Sequence, residues 1–270
     1  MAIITISRGS YSKGKEVAEK VAEKLGYQCI SRDVLLEASK EFNISEIKLV
    51  RAIHDAPSIL KGLKQSKEQY IAYIRAAVLK HLCDDNIVYH GLAGHFFVSG
   101  ISHVLKVRIL ADLEDRVQLE MEREKITRGE ALSLIRKDDE ERRRWSKELY
   151  GIDTWDPALY DLVIHIRELS TDDAAELIGA TAAFKQFATT PESRKAIHDL
   201  ALAAEVKAAL MDVQYDVDVQ ADGGRVFVQT HASPAIQQQL REQINAVVKR
   251  MTGVKDVTIK LTRITPYEEY

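Results

Sequence analysis

The chain is poor in cysteine, has no long apolar run and carries almost no imbalance of charge. Its two cysteines, Cys29 and Cys83, each stand in or beside an apolar segment. That excludes a disulfide framework and fits a reducing compartment. No apolar run is long enough to cross a bilayer, so no membrane-spanning helix is expected. A formal net charge of −3 over 270 residues gives no basis for bulk nucleic-acid binding. The first residues lack the basic region, apolar core and small-residue cleavage site of a signal peptide, and a cytoplasmic location is expected. No long-period repeat or low-complexity tract is visible.

What is present is concentrated at the start. An isoleucine-rich run, Ile3-Ile-Thr-Ile6, leads into a glycine loop, and the loop opens an amphipathic helix. Gly9 and Gly14 stand at the G-x-x-x-x-G-K spacing, with Ser10, Tyr11, Ser12 and Lys13 between them and Lys15 in the lysine position. Such glycines let successive N–H groups face one anion, and the following helix adds its partial positive charge. Lys15 can then reach the outer phosphates as a point charge. Glu16 stands where Ser or Thr usually helps to hold Mg²⁺. Either the metal is held differently, with Glu16 as a ligand or through water, or the loop no longer does chemistry.

The first part of the chain alternates strands and helices, which predicts an α/β parallel sheet with helices on both faces. Helices are expected over 15–25, 32–53 (interrupted near Asn43), 67–82 and 172–187, and strands over 86–90, 103–110 and 161–166. Residues 113–149 read as almost entirely helical and dense in charge. Arg123, Arg128, Arg136, Arg142, Arg143 and Arg144 in that stretch form a candidate cationic lid, although a charge-rich helix is commonly a solvated face. Thr189-Thr190-Pro191 reads as a linker, giving domains over 1–188 and 192–265. The second is a small α+β module of order αββαβ, with Asp222-Gly-Gly as its hairpin signal and no plausible catalytic cluster.

Other residues have two readings. Arg32 is either a grip on an acceptor monophosphate or a surface residue at a helix start. Gly91 and Gly94 either let backbone approach a ligand at a strand end or mark an ordinary loop. His90 and His95 lack a metal-ligand spacing, which favours packing or capping. Trp145, Tyr150, Trp155 and Tyr160 read as packing aromatics. For Asp161, capping of a neighbouring backbone is preferred.

Several segments carry a resemblance. Ile6-Ser7-Arg8 leads into the loop, Gly14-Lys15-Glu16-Val17-Ala18 leads out, and Glu23-Lys-Leu-Gly-Tyr27 follows. Later come Leu113-Glu-Asp-Arg116, Met121-Glu-Arg-Glu124, Asp139-x-x-Arg142 and Asp156-Pro157 before Tyr160-Asp161-Leu-Val163. With these, residues 1–185 resemble the cytidylate kinase-like family of nucleoside monophosphate kinases, with its P-loop NTPase fold. Residues 193–263 resemble a BON domain, with Gly253-Val254 before the last strand.

The resemblance implies phosphoryl transfer from ATP, with Mg²⁺, to a nucleoside monophosphate such as CMP. It implies donor phosphates at residues 9–16, catalytic roles for Lys15, Arg123, Arg136 and Arg142, and Asp139 orienting an arginine or assisting at the metal. Arg32 and Gly91 fall on the acceptor side. Ser31, Leu92 and His165 depart from the family pattern there, so the alternative is a catalytically degenerate nucleotide sensor signalling through the BON domain. That domain is expected to bind a small ligand, a lipid or a protein, and an oligomer is compatible with the sequence.

Overall fold

A computed structural model of the protein describes residues 2–31, 34, 64–91 and 94–263. Apart from Val34, the helical region expected over 32–53, including Arg32, lies outside the described residues.

The β-branched run at the start forms strand β1 (Ile3–Arg8), with Ile3, Ile4 and Ile6 wholly buried or nearly so. Helix α1 (Gly14–Leu25) turns Val17, Ala18, Val21 and Ala22 inward and ends at Gly26, whose φ of 65° is the left-handed cap that glycine adopts at little cost. There follow β2 (Gln28–Ile30), α2 (Lys64–Leu82), β3 (Ile87–His90), a single turn α3 (Gly94–Phe97) and β4 (Val104–Ala111). Helices α4 (Leu113–Glu124) and α5 (Arg128–Tyr150) come next, then β5 (Leu162–Ile166) and α6 (Thr171–Ala182).

All five strands are parallel, in the order β2-β3-β1-β4-β5. Ile4, Ile6, Val107 and Ile109 of the sheet pack with Val17 and Val21 of α1 and with Ala174 and Ile178 of α6. Asp161 caps the edge of this sheet, its carboxylate accepting the Lys106 N–H at 2.8 Å.

The charged stretch is not one helix. Lys125 has φ 59°, and Thr127 opens α5 with a capping box in which its side chain accepts the Glu130 N–H while Glu130 accepts the Thr127 N–H. The break folds α5 back on α4, where Val117, Ala131 and Ile135 are buried together.

The chain divides into two compact units. The described parts of residues 1–62 and 84–193 form the first. Residues 63–83 and 194–270 supply the second, so α2 belongs with the C-terminal region rather than with the parallel sheet that flanks it in sequence.

The second unit adds α7 (Pro191–Leu210), β6 (Val217–Asp222), β7 (Arg225–Ala232), α8 (Gln237–Val248) and β8 (Asp256–Arg263). Strand β7 is central, antiparallel to β6 and parallel to β8. Its side chains alternate strictly: Val226, Val228, Thr230 and Ala232 are buried, while Arg225, Phe227, Gln229 and His231 are exposed. Gly223 and Gly224 turn the hairpin with φ of 59° and 90°. This is the αββαβ order expected from the sequence.

Candidate active site

Residues 9–13 connect the end of β1 to α1 at the carboxyl edge of the sheet, the side on which open parallel sheets bind ligands. Tyr11 and Lys13 both take left-handed conformations, with φ of 57° and 60°. The Gly9 N–H donates to the Ile109 carbonyl at 3.4 Å, and the Ser12 hydroxyl lies 3.0 Å from the Gly9 carbonyl and 3.3 Å from that of Ile109. These bonds fix the loop to the end of β4. A Cβ on Gly14 would lie 2.7 Å from the Cβ of Arg8, so only glycine lets the helix start so close to the strand.

The loop is rich in unused donors. Among the described residues, the N–H groups of Tyr11, Ser12 and Lys13 have no hydrogen-bond partner. The buried Ser10 hydroxyl has none either. A concave run of donors of this kind suits an anion.

One anion is already in place. Asp139 of α5 accepts the Ser10 N–H at 3.0 Å through one carboxylate oxygen. Its other oxygen accepts from the Arg116 guanidinium at 2.6 Å, and Arg116 Nε donates to the Ser10 carbonyl at 2.6 Å. Arg116 thus lies over the loop, its guanidinium 3.8 Å from where a Gly9 side chain would begin.

Beside Gly9 opens a cleft of about 670 Å³, lined by Arg108, Arg116, Arg136, Asp139 and Glu140 on its polar side and by Leu110, Leu113 and Trp155 on its apolar side. A smaller recess continues from it past Ser7, Gly91, His95 and Arg142. Five arginines from four elements, Arg8, Arg108, Arg116, Arg136 and Arg142, therefore converge at the end of β1. The Tyr160 hydroxyl anchors the floor of the recess. It donates to the Thr154 carbonyl at 3.0 Å and accepts from Arg108 Nη1 at 3.2 Å, with Ser7 Oγ at 3.2 Å and His95 Nε2 at 3.4 Å. Burial, with the positive charges of Arg108 and Lys106 adding to it, holds the His95 imidazole down at about 3, so the ring is neutral.

The structure gathers some of the residues expected from the sequence and separates others. Gly9, Arg136, Asp139, Arg142 and Gly91 line the cleft or its recess. Lys15 does not: it is 63% exposed and pairs with Glu19 at 3.6 Å on the outside of α1. Glu16 faces α6, accepting from the Thr171 hydroxyl at 2.6 Å and pairing with Lys20 at 3.4 Å. The Thr171 bond, with help from Lys20, holds its carboxyl below the usual range. Arg123 is engaged by Glu120 and Glu124, both at 2.9 Å, and lies 4.6 Å above the Tyr11 ring. Arg143 is held by Asp153 and Arg128 by Glu114, as solvated helix faces would be.

Arg108, Arg116 as a site residue, His95 and Tyr160 escape a reading of the sequence alone. Arg108 sits mid-strand between Val107 and Ile109, and nothing local marks it as facing a cleft rather than solvent.

The comparisons agree with this geometry. The family model described as "Cytidylate kinase-like family" matches residues 3–168. A cytidylate kinase of Sulfolobus acidocaldarius is 26% identical over 176 residues, spanning 65% of this chain and 91% of that protein. The crystal structure of an uncharacterized protein from Eubacterium ventriosum has the same fold, with a TM-score of 0.52 and 22% identity, covering 67% of this chain and 98% of that one. The parallel sheet, the glycine loop and the match over most of the first unit lead to one conclusion: the chain belongs to the cytidylate kinase-like family.

Proposed function

We propose that the first unit transfers the γ-phosphoryl group of ATP to the phosphate of a nucleoside monophosphate, with CMP the first acceptor to test. The observation that carries this reading is the bond between the Ser10 N–H and Asp139, set among unpartnered loop amides and beside three arginines. A loop that holds a carboxylate on its amide, with Arg116 bound to the same carboxylate, is built for a polyanion.

In this reading an oxygen of the acceptor phosphate forms the new bond to the γ-phosphorus. The bond from that phosphorus to the β,γ-bridging oxygen breaks, and its electron pair leaves with ADP. The loop amides and Arg116 hold the donor phosphates. Arg136 and Arg142 take up charge on the transferred group from the α5 side. Asp139 fixes the guanidinium of Arg116 over the loop. Lys15 is the second residue of α1, directly after the loop, and among the described residues it is held by a surface pair with Glu19.

Mg²⁺ bound with the donor nucleotide would supply neutralisation of phosphate charge. The buried, unpartnered Ser10 hydroxyl is the oxygen at the loop that would fit it; the Asp139 carboxylate would first have to give up Ser10 or Arg116. Glu16, engaged by Thr171 and Lys20, fits it less well. Arg32, outside the described residues, keeps its proposed place on the acceptor side with Gly91.

The second unit is proposed as a BON-like regulatory module, on its αββαβ order and its glycine turns. Its ligand would be a small molecule, a lipid or a protein. A cytoplasmic location follows from the same reading; no described helix is long and apolar enough to cross a membrane.

The alternative of a nucleotide sensor draws on one observation, the outward pairing of Lys15 and Glu16. One experiment separates the two. ATP and Mg²⁺ are incubated with a panel of nucleoside monophosphates, and diphosphate formation is followed for the wild type and Lys15→Ala. Turnover lost in the variant supports the kinase. ATP binding without turnover on any acceptor supports the sensor.

A further inference from the structure

We infer that Arg108 is the receptor for the phosphate of the acceptor, bound in the recess at the carboxyl ends of β1 and β4; this rests on the kinase reading above.

Arg108 is 8% exposed. A guanidinium keeps its charge at any pH a protein meets, so this is a buried permanent cation. Among the described residues it has no carboxylate partner. Its one hydrogen bond goes to the neutral Tyr160 hydroxyl, with the Tyr160 ring centroid 5.5 Å from Cζ. Asp139 lines the same cleft, but its oxygens are engaged by Ser10 and Arg116. Glu140 lines that cleft too, but among the described residues it makes no ion pair with Arg108. His95 is uncharged, and Lys106 on the same strand adds to the positive field.

Folded proteins rarely bury an arginine without an anion, because desolvation then goes uncompensated. Such a group marks a place where the anion arrives with a ligand. Its position says which ligand. The sheet register sets Arg108 beside Ser7, the residue before the Arg8 that leads into the glycine loop. Arg108 and Gly9 line both the cleft and the recess, and the recess runs on to Gly91 at the end of β3. The loop amides lie on one side of this point and the β3 end on the other. An acceptor phosphate on Arg108 would thus face donor phosphates on the loop. The remaining guanidinium N–H groups can grip a phosphate at two points, and Tyr160 fixes the plane in which they lie.

The test is calorimetric titration of the full chain with ATP, the four common nucleoside monophosphates, cytidine and inorganic phosphate. It is run on wild type, Arg108→Met and Arg108→Lys, with a melting curve of each without ligand. The expected result is a loss of monophosphate affinity of about tenfold or more in Arg108→Met, partly recovered in Arg108→Lys, with ATP and cytidine affinities within about twofold of wild type. Arg108→Met without ligand should melt at or above the wild-type temperature, because an uncompensated charge has been removed.

Unchanged monophosphate affinity in Arg108→Met overturns the inference. So does a ligand-free Arg108→Met that melts well below wild type, since that is the mark of a structural arginine. Wild-type protein that binds ATP but no monophosphate or phosphate also overturns it and leaves the donor half of the reading standing. Wild-type protein that binds none of these ligands removes the kinase reading itself.

Discussion

The carboxylate of Asp139 bonds to the backbone N–H of Ser10 at 3.0 Å, across 129 positions of sequence. A side chain of α5 therefore supplies negative charge at the place where the glycine loop would receive a phosphate. Arriving phosphates must share or displace that carboxylate. Asp139→Asn keeps an acceptor oxygen but removes the charge and loosens Arg116. It is expected to tighten ATP binding about threefold and to lower kcat about tenfold. Calorimetry and steady-state kinetics check the two halves separately.

Lys15 makes a different prediction. Its outward pair with Glu19 is a surface contact, and such pairs add little to folding. Lys15→Ala should leave the melting temperature within about 2 °C. If the ammonium turns to the donor phosphates during turnover, kcat/KM falls about tenfold or more. Melting curves and initial rates on the same preparation decide it.

Gly14→Ala tests the loop itself. The added methyl would meet Arg8 Cβ at 2.7 Å and Cδ at 2.8 Å, and the Cβ cannot swing away. Destabilisation of about 1–3 kcal/mol is expected, together with loss of ATP binding as the loop is displaced. Denaturant unfolding and calorimetry measure both.

The neutral His95 gives a pH dependence with a definite sign. In the unfolded chain its imidazole takes a proton as pH falls through about 6.5; in the folded protein burial delays this to about 3. Between those values the unfolded state binds more protons, so stability is lost as pH falls, at about 1.4 kcal/mol per pH unit from this group. His95→Gln should flatten that acid limb. Urea unfolding at pH 7, 5.5 and 4.5 gives the slopes.

In the second unit, Gly224 has φ 90° and a methyl there would lie 2.7 Å from the Gly253 carbonyl. Gly224→Ala is expected to cost about 1–3 kcal/mol in that unit. Hydrogen exchange should show the loss in β6, β7 and β8, with the parallel sheet unchanged.

Much of the fold was legible in the sequence because local chemistry set it. Isoleucine runs, the glycine loop, Gly26 and the strict alternation of β7 each declare their structure within a few residues. The break between α4 and α5 was also encoded, by Thr127 and Glu130 at capping-box spacing, but the density of charge hid it. The site was legible only in part. Arg136, Asp139 and Arg142 reach the cleft as their helical spacing allows. The Arg116–Asp139 pair depends on the antiparallel return of α5, and the role of Arg108 on which face of β4 is covered. Such facts arise from tertiary packing, to which no window of sequence gives access.

The placement of α2 has its own consequence. The polypeptide leaves the first unit after residue 62, returns at 84 and leaves again after 193. A chain shortened at the Thr189–Pro191 junction would therefore carry a piece of the second unit along with the first. It would strand one nineteen-residue segment, Lys64–Leu82, without the C-terminal residues with which it forms one compact unit. Aggregation of that shortened protein would follow from severed architecture, whatever the catalytic centre can do.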